Sequence, residues 1–144
     1  MVAIFATMTF SLTSCGDDDE PNYPTAGKME LTIDGKKYTF TNALPPNVSG
    51  SEYSCLVYDN DNGLMFSIYG WDEVEKGTAL TVENFTLTWS TDNAIIGMPT
   101  SSTTVKVTAK DSKNVTISFN NAKFEDMRGY ESFTVNGTIT LPID

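Results

Sequence analysis

Two cysteines and no histidine set the limits of what this chain could do chemically. Histidine is the commonest general base and the commonest metal ligand. Without it, Ser/His/Asp and Cys/His nucleophile systems and His-based zinc sites cannot be assembled. Cys15 follows Leu12-Thr13-Ser14 and precedes Gly16 and four consecutive acids, Asp17, Asp18, Asp19 and Glu20. Cys55 sits in an alternating apolar pattern and reads as a small core residue rather than a reactive thiol. A carboxylate pair remains formally available for glycoside hydrolysis, yet a chain this short with no other catalytic constellation points away from an enzyme. Asp59-Asn60-Asp61-Asn62-Gly63 invites a calcium reading. An EF-hand loop needs Gly at position 6 and Glu at position 12, whereas Gly63 falls at position 5 and Gly70 at position 12. An Asn/Asp turn accounts for the run better, and neither a metal nor any other cofactor is expected.

The stretch ahead of Cys15 is built for export. Residues 2–13 are apolar or small and uncharged, which suits a signal-peptide core and falls short of the roughly 20 residues a transmembrane helix needs. The end of that run, Leu-Thr-Ser-Cys, resembles a bacterial lipobox. The resemblance implies that residues 1–14 are a removable signal, that the Cys15 thiol carries a diacylglycerol and that the new amino end is acylated. No Lys or Arg precedes the apolar run, a departure from the basic opening of such signals that bears on where translation starts. Asp17, Asp18, Asp19 and Glu20 resemble the acidic export signal of Bacteroidetes surface lipoproteins. This implies display on the outer face of the outer membrane, with the periplasmic face as the alternative. More than one acyl chain would make the anchor stable. Residues 15–27, with Pro21 and Pro24, then form a tether, and residues 28–144 a single domain.

Charge narrows the partners. Residues 1–14 carry no charge, so the rest keeps the full formal net charge of −10, with nine basic residues and one arginine, Arg128. No basic stripe is available for phosphates, which excludes nucleic acid.

Period-two patterning runs through the rest, and no segment shows a useful helical period. Met29, Leu31 and Ile33 alternate up to Asp34-Gly35, a type I′ turn, and Tyr38 and Phe40 return, with Leu31 facing Tyr38. A loop spans residues 42–51. A second hairpin runs from Glu52 to Asp59 and from Leu64 to Trp71. With Asn62-Gly63 as its turn, Val57 would face Ile68, and Leu56, Tyr58, Met65, Tyr69 and Trp71 would gather on one side. Both faces of this hairpin are apolar. Residues 79–89 read as a strand broken at Glu83-Asn84, and residues 91–102 as a loop plugging one end. Val105, Val107 and Ala109 pair with Val115, Ile117 and Phe119, and a bulge at Asn120-Asn121 switches parity for Ala122 and Phe124. Phe133 to Ile143 is a long closing strand. The expected fold is therefore all-β, an antiparallel sandwich of about eight strands, with a small lipocalin-like barrel as the alternative.

The Leu31-to-Tyr38 opening and the Val135-to-Leu141 close also look like the small all-β surface lipoproteins of Bacteroidetes. Three roles follow as expectations. The first is a non-catalytic module binding an envelope protein partner. The second is glycan capture through Tyr58, Tyr69 and Trp71, against the simpler reading that these aromatics pack in the core. The third is a carrier of an apolar ligand.

Overall fold

The computed structural model describes residues 29–90, 94–129 and 131–144, and Cys15 and the acidic run at 17–20 lie outside them. The described residues form β1 (Met29–Ile33), β2 (Lys36–Thr39), β3 (Asn42–Ala43), β4 (Asn47–Ser49), β5 (Glu52–Tyr58) and β6 (Gly63–Tyr69). After a 3-10 turn at Trp71–Glu73 come β7 (Phe85–Ser90), β8 (Ala94–Pro99), β9 (Val105–Lys110), β10 (Asn114–Asp126) and β11 (Ser132–Pro142). Every pairing is antiparallel.

The ladder runs β2-β1-β11-β10-β8-β7-β6-β5-β3, with β4 also on β5 and β9 also on β10. It is an open sheet, so the fold is the all-β, sandwich-like class that the patterning predicts and not the lipocalin-like barrel. Strands far apart in the ladder touch across the interior: Tyr38 of β2 meets Trp89 of β7 at 4.8 Å, and Phe66 of β6 meets Phe119 of β10 at 6.4 Å. The sheet thus folds over into two layers. One contains β2, β1, β11, β10 and β9, and the other β8, β7, β6, β5 and the short β3 and β4.

Long β10 makes the corner. Its first half, through Phe119, pairs with β9, and its last residues, Phe124 to Asp126, pair with β8. The register break between Phe119 and Ala122 is the expected bulge, with Asn121 at φ 46°. A bulge of this kind bends a strand and adds twist, which lets one strand serve both layers. Phe119, Phe124, Phe85 and Phe133 fill the space inside the bend, with neighbouring ring centroids 5.3 to 6.3 Å apart.

The first hairpin has the register read from its sequence: Leu31 opposes Tyr38, and Asp34 and Gly35 both have positive φ, as a type I′ turn requires. Three readings change. The second hairpin turns at Asn60-Asp61 rather than Asn62-Gly63, so Val57 opposes Leu64 instead of Ile68. The cause is Asp59, whose Oδ1 accepts the backbone N–H groups of Asp61 and Asn62 at 2.8 and 2.7 Å and tightens the turn. Residues 94–99 are not a plugging loop but β8, seated between β7 and β10. The 42–51 loop contains β3 and β4. The break expected within residues 79–89 is present as a turn at residues 82–84, with Ala79 bridged to Lys106 of β9 before it and β7 starting at Phe85 after it.

Candidate functional site

The two outer faces of the folded sheet differ in chemistry. On the β2-β1-β11-β10-β9 layer the outward positions hold Lys37, Glu30, Lys106 and Lys123 among threonines, with Lys37 Nζ 2.9 Å from Glu30 Oε2. This is a solvated face. Hydrogen bonds from Lys37 and Thr39 hold the Glu30 carboxyl below the ordinary range.

The other outer face is uncharged except at its rim. Outward residues alternate along each strand, and cross-strand pairing sets them in rows. The middle row begins where the Leu44 N–H donates to the Leu56 carbonyl at 2.9 Å. It continues through Leu56 opposite Met65, Met65 opposite Thr88 and Thr88 opposite Ile96. It ends where the Met127 N–H donates to the Ile96 carbonyl at 3.0 Å. On one side lies the row Asn42, Tyr58, Gly63, Ser90 and Ala94. On the other lie Asn47, Ser54, Ser67 and Thr86, with Met98 next along β8. None of these positions carries a charge, in a chain that is 19% charged. Leu44, Met65, Ile96 and Met127 are 39 to 61% exposed along the middle row.

Charge returns at the rim, with Glu125 opposite Met98 and Glu52 opposite Tyr69. At the Met127 end, Arg128 pairs with Asp126 at 2.9 Å, which keeps the Asp126 carboxyl below its ordinary range.

The predicted aromatic platform does not form. Tyr58 and Tyr69 are on this face but at opposite ends of the second hairpin, opposite Gly63 and Glu52 respectively. Six strand residues between them amount to about 20 Å. Trp71 is not on the face at all. Gly70 has φ 70°, ends β6 and turns the chain inward, leaving Trp71 6% exposed. The Trp71 ring stacks on Tyr53, and Lys110 Nζ lies 4.0 Å from its centroid. Trp71 belongs to the core, as the simpler reading of these aromatics holds.

What Tyr69 does line is a depression of about 140 Å³ with Asn47, Glu52, Ser54, Met65 and Ser67. An aromatic ring, an amide, a carboxylate and hydroxyls converge there. Cys55 is buried within the same hairpin, and burial pushes its thiol up to about 11, which removes it as a nucleophile at neutral pH. Among the described residues no group of His, Cys, Asp or Glu is arranged to hold a metal ion.

No family model, curated protein or solved structure matches the chain.

Sequence reasoning finds Leu56 and Met65 of the middle row, because both faces of the second hairpin are apolar. Leu44 and Ile96 lie in stretches that read as loops, Met127 lies between two strand patterns, and all three are missed. Ile96 could have been found from Ala94, Ile96 and Met98 alternating with Ile95, Gly97 and Pro99, a period of two that the glycine and proline obscure.

Proposed function

We propose that this chain is a non-catalytic interaction module, held by a lipid on Cys15 at the outer membrane and displayed on the cell surface through its acidic run. The observation that carries the binding half of this reading is the uncharged outer face with its exposed apolar row. Depletion of charge at the centre, methionine enrichment and a polar rim are the composition of an interface rather than of a solvated sheet. A contiguous exposed apolar patch of this kind marks an interaction site. The anchor and address rest on the lipobox and acidic-run resemblances.

Met65 and Met127 provide the test, because exposed methionines oxidise and covered ones do so slowly. Their oxidation on intact cells is compared with that in the purified, dilute chain. Slower oxidation on cells is expected. Equal rates would mean the face is bare in its native setting, and the reading fails.

The depression beside Tyr69 favours a second reading, capture of a neutral glycan. A sugar ring stacks on an aromatic face while amide and carboxylate groups take its hydroxyls, and Tyr69, Asn47 and Glu52 supply these together. Calorimetric titration with soluble polysaccharides tests it. Heat lost in Tyr69→Ala supports capture, and a flat titration of the unsubstituted chain ends it.

A further inference from the structure

We infer that the uncharged face pairs with the same face of a second copy of this chain, an inference that rests on the face being a binding surface. The charge of the chain selects the face through which two copies could meet, and the symmetry and size of that face select a copy as its partner. The chain has a formal net charge of −10, so two copies repel at long range. Close approach is least costly where no carboxylate is met, and the three rows on the outer face of β3 to β8 hold none, with Glu52 and Glu125 at their rim, whereas the opposite layer presents Glu30, Lys37, Lys106 and Lys123.

The face is also complementary to itself. The apolar row runs through its middle with rows of hydroxyl and amide groups on both sides. A twofold axis along the strands and between Met65 and Thr88 lays Leu44 over Met127, Leu56 over Ile96 and Met65 over Thr88 of the other copy. Apolar residues then meet apolar ones, and the hydroxyl-bearing rows meet their own kind. This is the isologous contact by which most homodimers form. Two such faces would stack about 10 Å apart, as sheets do.

The size suffices. Five strand spacings by three rows cover roughly 25 by 20 Å, about 500 Å² on each copy. Two copies would bury about 1,000 Å², the lower end of what a specific interface needs. The pairing is therefore weak in dilute solution, and confinement on a membrane, which raises the effective concentration, favours it.

The test uses the full chain in expressing cells with Thr88→Cys and a bis-maleimide of about 10 Å reach. Controls are the unsubstituted chain, which scores any reaction at Cys15, and Ser118→Cys on the opposite layer. A product of twice the chain mass is expected with Thr88→Cys, and adding Ile96→Lys should lower its yield about tenfold, since each lysine ammonium would be buried unpaired against Leu56 of the other copy. Yields no higher than in the Ser118→Cys control overturn the pairing. A Thr88→Cys adduct of another mass also overturns it while leaving the face a binding surface. Met65 oxidation against dilution of the purified chain is an independent check that requires no substitution. Oxidation that quickens on dilution supports self-pairing. A rate independent of concentration, together with protection on cells, assigns the face to a different partner.

Discussion

The Trp71 ring lies on the Tyr53 ring, centroids 4.5 Å apart and planes 23° apart, and the Tyr53 hydroxyl donates to the Pro142 carbonyl at 2.7 Å. That contact ties the end of the second hairpin to the end of the last strand. Lys110 closes the corner, with Nζ donating to the Val74 carbonyl at 2.7 Å. Truncating Trp71 to alanine should destabilise the fold by about 3–5 kcal/mol. Tyr53→Phe should cost about 1–3 kcal/mol, because it leaves the Pro142 carbonyl without its buried donor. Denaturant midpoints of the two variants check both values. Iodide should barely quench the tryptophan emission of the native chain, since Trp71 and Trp89 are each 6% exposed.

Gly97 is required by space. A Cβ built there would sit 2.9 Å from Phe124 Cβ and 2.9 Å from the Phe133 ring, which itself stacks on Phe124 at 5.3 Å. Neither ring has room to withdraw inside the bend of β10. Gly97→Ala should therefore destabilise by about 1–3 kcal/mol through overpacking, despite the higher strand propensity of alanine. An unchanged thermal midpoint would contradict this.

The Cys55 thiol, raised by burial to about 11 from an ordinary 9.0, stays protonated through the neutral range. A disulfide reagent at pH 8 should leave it unmodified until denaturant opens the hairpin. The sign of its linkage follows from the raised value. Stability from the buried thiol is fully present below the unfolded pKa near 9.0 and is lost as pH rises through about 11. Acid acts oppositely at Asp111, whose carboxylate is stabilised by the N–H groups of Lys113 and Asn114, and at Asp126 through Arg128. Their contribution is present above an ordinary pKa of 3.8 and disappears as pH falls below it. The melting temperature should accordingly decline at both extremes, below about pH 4 and above about pH 9.

The address has its own test. Cys15→Ala should abolish palmitate labelling and release the chain from membranes, and persistent labelling would end the lipid-anchor proposal. Changing Asp17, Asp18, Asp19 and Glu20 together to alanine should shield the chain from protease added to whole cells. If it is still cleaved, the run is a solvated linker.

The sequence revealed what depends on local chemistry. Asp34-Gly35 names its own turn, and the alternation of Phe133, Val135, Ile139 and Leu141 fixes which side of β11 faces inward. The second hairpin shows the limit. The turn was placed too late, but the register moved by four residues, an even number, so each side chain kept its face. Trp71 was misplaced because period-two counting assumes that the strand continues, and Gly70 ends it. Ala94–Pro99 was read as a loop because Gly97 and Pro99 are strand breakers by propensity. Only the Phe124 and Phe133 rings, remote in sequence, explain why a glycine belongs there. The uncharged row is harder still to foresee, since it joins strands whose order no local pattern announces.

The first strand is hydrogen-bonded to the last, Met29 opposite Ile139 and Ile33 opposite Val135. During synthesis β1 therefore has no lasting partner beyond its own hairpin until residues 133–141 have emerged. An isolated two-stranded hairpin is marginal in water, and long-range pairings of this kind form slowly. The nascent chain should accordingly stay threadable until residues 133–141 have been made, which suits the export proposed for it.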